Sequence, residues 1–173
     1  MKNILITGGG GYIGSMLSTE LINLGYKVTV IDLLKYDKGS LDHLYFNKNF
    51  TFINEDVRNS KILKKHVKKN EFIIPLAALV GAPLCEKNKK DAISINFEAI
   101  KKILKSLKKK NKLIYLTTNS GYGIGEKNKF CDEKSLLKPI SLYGQTKCDA
   151  ESEVMKFKNT ISFRLATVFG ASY

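Results

Sequence analysis

The sequence predicts an α/β protein built on a doubly wound parallel sheet with helices on both faces. Three observations point there. Short β-rich runs alternate with longer helical patterns along all 173 residues. Several of the short runs are almost continuously apolar, as strands covered on both faces must be. A run of four glycines, Gly8 to Gly11, separates the first apolar run from the first helical pattern.

Taken in order, the first strand is expected over Asn3–Thr7, around Ile4-Leu5-Ile6, and a helix over Tyr12–Leu24. Further strands are expected over Lys27–Asp32, Phe50–Asn54, Phe72–Pro75, Leu113–Thr117 and Thr160–Leu165. Between them, helical spacing marks Ser60–Lys69, a long stretch over Asp91–Lys109, and Tyr143–Lys156, with a shorter helix around Ser40–Phe46. Repeated βα units of this kind close by right-handed crossovers. The sixth strand and the loop Ala166–Gly170 bring the chain to Tyr173, so one dinucleotide-binding domain over residues 1–173 is the expected organisation.

Composition narrows the function. The net charge is +13, yet only Arg58 and Arg164 are arginines. The lysines recur in stretches such as Lys61-Ile62-Leu63-Lys64-Lys65 and Lys101-Lys102-Ile103-Leu104-Lys105, where the apolar residues keep helical spacing. These are expected to be solvated faces of amphipathic helices rather than a nucleic-acid interface, with attraction for anionic substrates as a by-product. No apolar run approaches the ~18 residues of a membrane span. The apolar stretch after Met1-Lys2-Asn3 is too short for a signal peptide, so a cytoplasmic location without a membrane partner is expected. Cys85, Cys131 and Cys148 form no Cys-x-x-Cys pair, and His43 and His66 lie in no ligand-like cluster; no metal site is expected.

The glycine run carries the first functional signal. Gly8-x-x-Gly11-Tyr12-Ile13-Gly14 leaves a strand and opens a helix. Glycines there permit a tight turn and close approach of the backbone to a pyrophosphate, and the helix amino terminus offers N–H groups and a positive dipole end. Asp32 ends the second strand 18 residues after Gly14. A carboxylate at that place accepts hydrogen bonds from the ribose hydroxyls and repels a 2′-phosphate, which favours NAD over NADP. Asp56-Val57 after the third strand and Leu76-Ala77-Ala78 after the fourth fall at strand carboxyl ends, where cofactors lie in such sheets. A helix-start aspartate and simple close packing are the other readings of these residues.

The second signal is Tyr143-Gly144-Gln145-Thr146-Lys147, which places a tyrosine and a lysine on one face of the helix after the fifth strand. Thr118 closes that strand. Together with Asp56-Val57-Arg58, Leu76-Ala77-Ala78 and Tyr122-Gly123, these motifs stand in an order that resembles the extended short-chain dehydrogenase/reductases, above all the UDP-glucose 4-epimerase-like and sugar-nucleotide dehydratase branch. The resemblance implies a Rossmann-type fold, NAD as cofactor and a nucleotide-sugar substrate. It implies Thr118, Tyr143 and Lys147 as the catalytic set, with Tyr143 and Lys147 also touching the cofactor, and Asn96 as a structural asparagine. It leaves a homodimer open.

Two departures qualify it. Asn119-Ser120 stands where 4,6-dehydratases carry an Asp-Glu pair, which favours epimerisation or another oxidation–reduction over elimination. Members of the family also continue into a carboxyl-terminal region that grips the nucleotide sugar, and that region is expected to be absent here. Two readings therefore stand side by side: an epimerase-type enzyme, and an NAD-binding module without catalysis of its own.

Overall fold

A computed structural model describes residues 2–125 and 129–171. Six strands form one parallel sheet: β1 (Asn3–Thr7), β2 (Lys27–Asp32), β3 (Phe50–Asn54), β4 (Phe72–Pro75), β5 (Lys112–Thr118) and β6 (Thr160–Leu165), in the order β3-β2-β1-β4-β5-β6. The order reverses direction at β1 and β4, which are neighbours. That reversal opens a crevice at the carboxyl edge of the sheet.

Helix α1 (Tyr12–Asn23) and the 3-10 turn Asp42–Leu44 cover one face. There Ile22, Leu41 and Leu44 pack on Ile4, Ile6, Val28 and Val30. Helices α2 (Ser60–Lys69), α5 (Ala99–Ser106) and α6 (Leu142–Val154) cover the other. Leu63, Val67, Ile100, Ile103, Ala150 and Val154 meet Leu5, Ile31, Ile73, Leu113 and Tyr115 on that side. Both faces being buried explains why the central strands read as continuous apolar runs.

Five strands have the expected bounds, and β5 is one residue longer at each end. The helical part of the fourth crossover differs more. It starts with α3 (Ala82–Lys87), which the sequence reading missed, and α4 (Lys89–Ile93). A π-helical turn, Ser94–Glu98, then joins α4 to α5, and the helix stops at Ser106 rather than at Lys109. The stop coincides with a tertiary anchor: the Asn111 side chain accepts from the Lys108 N–H at 2.6 Å and donates to the Val67 and Asn70 carbonyls. The expected helix around Ser40–Phe46 is only a 3-10 turn.

Candidate functional site

The glycine turn is built by backbone contact. The Thr7 carbonyl accepts both the Leu76 and Ala77 N–H groups at 2.8 Å, tying the carboxyl ends of β1 and β4 together. Gly8 turns there with φ of 76°, and a Cβ on it would lie 2.3 Å from the Ala77 nitrogen. A Cβ on Gly14 would lie 2.4 Å from the Gly8 carbonyl oxygen. Neither distance is tolerable, so both positions demand glycine. Gly11 is the N-cap of α1; no side chain caps that helix, and its first turn holds no acidic residue. The positive end of α1 and its first-turn N–H groups therefore face the glycine turn without an internal anion, the donor arrangement that a pyrophosphate fits.

Asp32 sits at the end of β2 beside this turn. One carboxylate oxygen accepts the Gly10 N–H at 2.9 Å, the other the Leu34 N–H at 2.7 Å. Asp32 thus shapes the glycine turn, and each oxygen retains a lone pair with which it could accept a hydroxyl donor. Buried Ser40 donates to the Gly10 carbonyl at 2.9 Å and clasps the turn from the other side. A serine 30 residues away in sequence carries no local pattern that announces this contact.

The other cofactor candidates divide. Val57 is buried, and Leu76, Ala77 and Ala78 line the carboxyl end of β4 against Gly8. The Asp56 carboxylate is engaged by Arg58, whose Nη2 lies 2.6 Å away, and Arg58 reaches Asp91 on α4 at 2.6 Å as well. The Arg58 hydrogen bonds hold the Asp56 carboxyl below its ordinary range. Asp56 thereby pins the loop after β3 to the fourth crossover. Tyr12 and Ile13 open α1, and the Tyr12 hydroxyl donates to the Gly170 carbonyl at 2.7 Å.

Thr118, Tyr143 and Lys147 converge at the carboxyl end of β5. Ser141 caps α6 by accepting the Gly144 N–H at 3.1 Å, which fixes the helix start beside Tyr143. The Thr118 side chain lies beside the Tyr143 hydroxyl and favours its ionised form. Thr118 also donates to the Ser120 hydroxyl at 3.1 Å, a partner that sequence reasoning did not name. Lys147 is buried one helical turn beyond Tyr143, where its Nζ donates to the Leu116 carbonyl at 2.7 Å and stands 4.4 Å from the centre of the Tyr115 ring. Burial lowers its pKa to about 8, against a rise from the Glu151 carboxylate. Glu151 is itself paired with Arg164 at 3.0 Å.

Burial raises the pKa of the Tyr143 hydroxyl, and the Thr118 side chain opposes that rise. The Lys147 ammonium is satisfied by a carbonyl of β5, so its charge is directed into the sheet.

Asn96 holds the site from behind. It is buried in the π-helical turn, accepts the Leu79 N–H at 2.7 Å and donates to the Leu79 carbonyl at 2.9 Å. Its amide nitrogen also lies 3.4 Å from the Thr146 hydroxyl on α6. One side chain thus fixes the loop after β4 to α6 from within the π turn.

Known proteins share the family and the fold. The model of the NAD-dependent epimerase/dehydratase family matches residues 4–172. The chain is 33% identical to UDP-N-acetyl-alpha-D-glucosaminuronate decarboxylase of Bacillus cytotoxicus, over 72% of this chain and 39% of that protein. It is 32% identical to Protein CapI of Staphylococcus aureus, over 96% of this chain and 54% of that protein. Among solved structures, UDP-glucuronic acid 4-epimerase of Bacillus cereus, in complex with NAD, superposes with a TM-score of 0.84 at 30% identity, covering 97% of this chain and 57% of that one. The chain spans about half the length of such relatives.

Proposed function

The chain belongs to the NAD-dependent epimerase/dehydratase family, and we propose that it binds NAD and uses Tyr143 to move a proton at a hydroxyl of a nucleotide sugar. The observation that carries this reading is the convergence of Thr118, Tyr143 and Lys147 at the carboxyl end of β5, in the crevice that also holds the glycine turn.

The glycine turn and the α1 amino terminus hold the pyrophosphate, and Asp32 takes the adenosine ribose while its charge disfavours a 2′-phosphate. Bound NAD supplies the hydride acceptor and a positive ring that favours the tyrosinate. Thr118 orients the sugar hydroxyl, and Tyr143 accepts its proton as general base. Lys147, charged at neutral pH with a pKa of about 8, holds its ammonium on the Leu116 carbonyl one helical turn beyond Tyr143 and offers that charge to the cofactor. Ser120 already bonds Thr118, and Asn119-Ser120 offers no carboxylate for elimination. The reaction this favours is epimerisation, or another oxidation–reduction of the sugar.

Tyr143→Phe tests it. The change removes one oxygen and keeps the ring, so NAD affinity stays within about threefold while NADH formation on mixing with UDP-sugars falls by about a thousandfold. Calorimetry measures the first quantity and stopped-flow absorbance the second. Near-normal hydride transfer in the variant overturns the role of Tyr143. NAD binding without any hydride transfer in the unaltered protein favours the non-catalytic module.

A further inference from the structure

All strands of a parallel sheet begin at one edge, so the turns leading into β1–β6 gather at the end of the molecule opposite the site. Hydrogen bonds stitch these turns side by side. The Lys27 N–H donates to the Lys2 carbonyl at 3.2 Å, the Glu71 N–H to the Asn3 carbonyl at 2.9 Å, and the Lys112 N–H to the Glu71 carbonyl at 2.8 Å. The Asn111 side chain binds the end of α2 to the turn before β5. At about 4.8 Å per strand the edge is roughly 24 Å across.

Its charge is one-sided. Residues 2–3, 23–27, 45–50, 68–72, 106–112 and 155–160 contain eleven lysines and one acidic residue, Glu71, a net +10 of the chain's +13. The densest part is central, where exposed Lys68 and Lys69 meet exposed Lys108, Lys109 and Lys110. The same turns expose large apolar side chains on both flanks. Leu24 is 72% exposed and Phe46 wholly so on the β2–β3 side, and Met155 is 55% and Phe157 41% exposed beside β6. Single exposed apolar residues are ordinary, but four flanking one basic edge form a surface with two complementary chemistries.

We propose that this edge docks on an anionic lipid bilayer, its lysines meeting headgroup phosphates and its flanking apolar side chains entering the interface. A second copy of the same face would be repelled by like charge. A nucleic acid would engage the lysines but leave Leu24, Phe46 and Phe157 in water, and none of these turns carries an arginine. No helix among the described residues is long and apolar enough to cross a membrane, so the contact is with the bilayer surface. Docked in this way, the crevice at the carboxyl edge of the sheet faces the aqueous side.

Vesicle flotation tests the proposal, with phosphatidylcholine alone and with about 30% phosphatidylglycerol added. The protein floats only with the anionic vesicles and is released at about 0.5 M salt. Reversing three charges in Lys108→Glu/Lys109→Glu/Lys110→Glu weakens binding about a hundredfold, at roughly a factor of five for each lysine lost. Phe46→Ser/Phe157→Ser weakens it several-fold with the charge unchanged. NAD titration of each variant confirms an intact fold and reports on the opposite end independently. The proposal is overturned by absence of flotation with anionic vesicles. It is also overturned if Lys61→Glu/Lys64→Glu/Lys65→Glu on the outer face of α2 weakens binding equally, which would mean diffuse charge. A third overturning result is that the Phe46/Phe157 variant binds vesicles normally while duplex DNA binds as tightly, which would assign the lysines to nucleic acid.

Discussion

The two ends of the sheet are built from the same βα units, yet they carry opposite chemistry. At the carboxyl edge, described acidic and basic residues in residues 33–41, 55–59, 76–81, 119–125, 129–141 and 166–171 nearly balance, five against six. Two of them are committed inward, Asp56 to Arg58 and Arg58 to Asp91, and nearby Arg164 on β6 is committed to Tyr122 and Glu151. At the amino edge, eleven lysines face one glutamate, and large apolar side chains stand in water. The carboxyl edge has its positions fixed by backbone contact and buried hydrogen bonds, and tolerates little change. Most of the amino-edge lysines project into solvent, where substitution changes what the surface attracts and hardly the fold.

If that contrast is right, crowding the carboxyl end gives the largest effect. Gly14→Val forces side-chain atoms into the Gly8 carbonyl and the Gly9 Cα, which a Cβ alone would approach to 2.4 and 2.6 Å. Loss of at least about 3 kcal/mol in denaturant unfolding is expected, with NAD binding abolished. A variant as stable as the parent, with NAD affinity retained, would break the contrast at its strongest point.

The next effect in size has the opposite sign. Burial lowers the Lys147 pKa to about 8, below its value in an unfolded chain. At pH 7 the ammonium is charged in both states, and the folded state bears the cost of desolvating it. That cost is relieved as pH rises from about 8 towards 10.4, where only the unfolded chain still holds the proton, so this group makes stability climb over that window. Lys147→Met should therefore raise stability at pH 7 by about 2 kcal/mol while destroying hydride transfer. The gain should shrink above pH 8. Thermal melts of both proteins from pH 6 to 10 measure it, and a variant less stable than the parent at pH 7 contradicts the buried-charge account.

Asp32→Ala produces the smallest change. NAD preference over NADP should narrow by about tenfold, from loss of the repelling carboxylate. Stability should also fall by about 1–2 kcal/mol, because the Gly10 and Leu34 N–H groups lose their acceptor. Parallel calorimetric titrations with the two dinucleotides sharpen the division between the shaping and the recognising role. Unchanged selectivity would leave Asp32 with the shaping role alone.

Much of this was legible in the residues. Five of six strands have the bounds that apolar runs indicated, because a strand buried on both faces must be apolar at nearly every position. Gly8, Gly14 and the Tyr143-Lys147 pair are visible because their constraints are local: a turn that excludes Cβ, and a spacing of one helical turn. The fourth crossover was misjudged where local pattern fails. Asp91 to Lys109 reads as one continuing helix, yet Asn111 ends it early through bonds to residues more than 40 positions away. The π turn at Ser94–Glu98 has no periodic signature, and only its result, Asn96 clamped on Leu79, explains it.

By itself the sequence determined the doubly wound order of elements and the glycine turn, since each follows from neighbours a few residues apart, and its family resemblance supplied the catalytic candidates. The tertiary structure decided what those side chains touch. It directed the Lys147 ammonium to the Leu116 carbonyl, gave both Asp32 oxygens backbone partners, and tied Asp56 to Arg58. It also gathered lysines from six separate stretches onto one edge, because parallel strands must all begin at the same end. Charge summed along a chain carries no direction, and only the packing of the strands gives it a face.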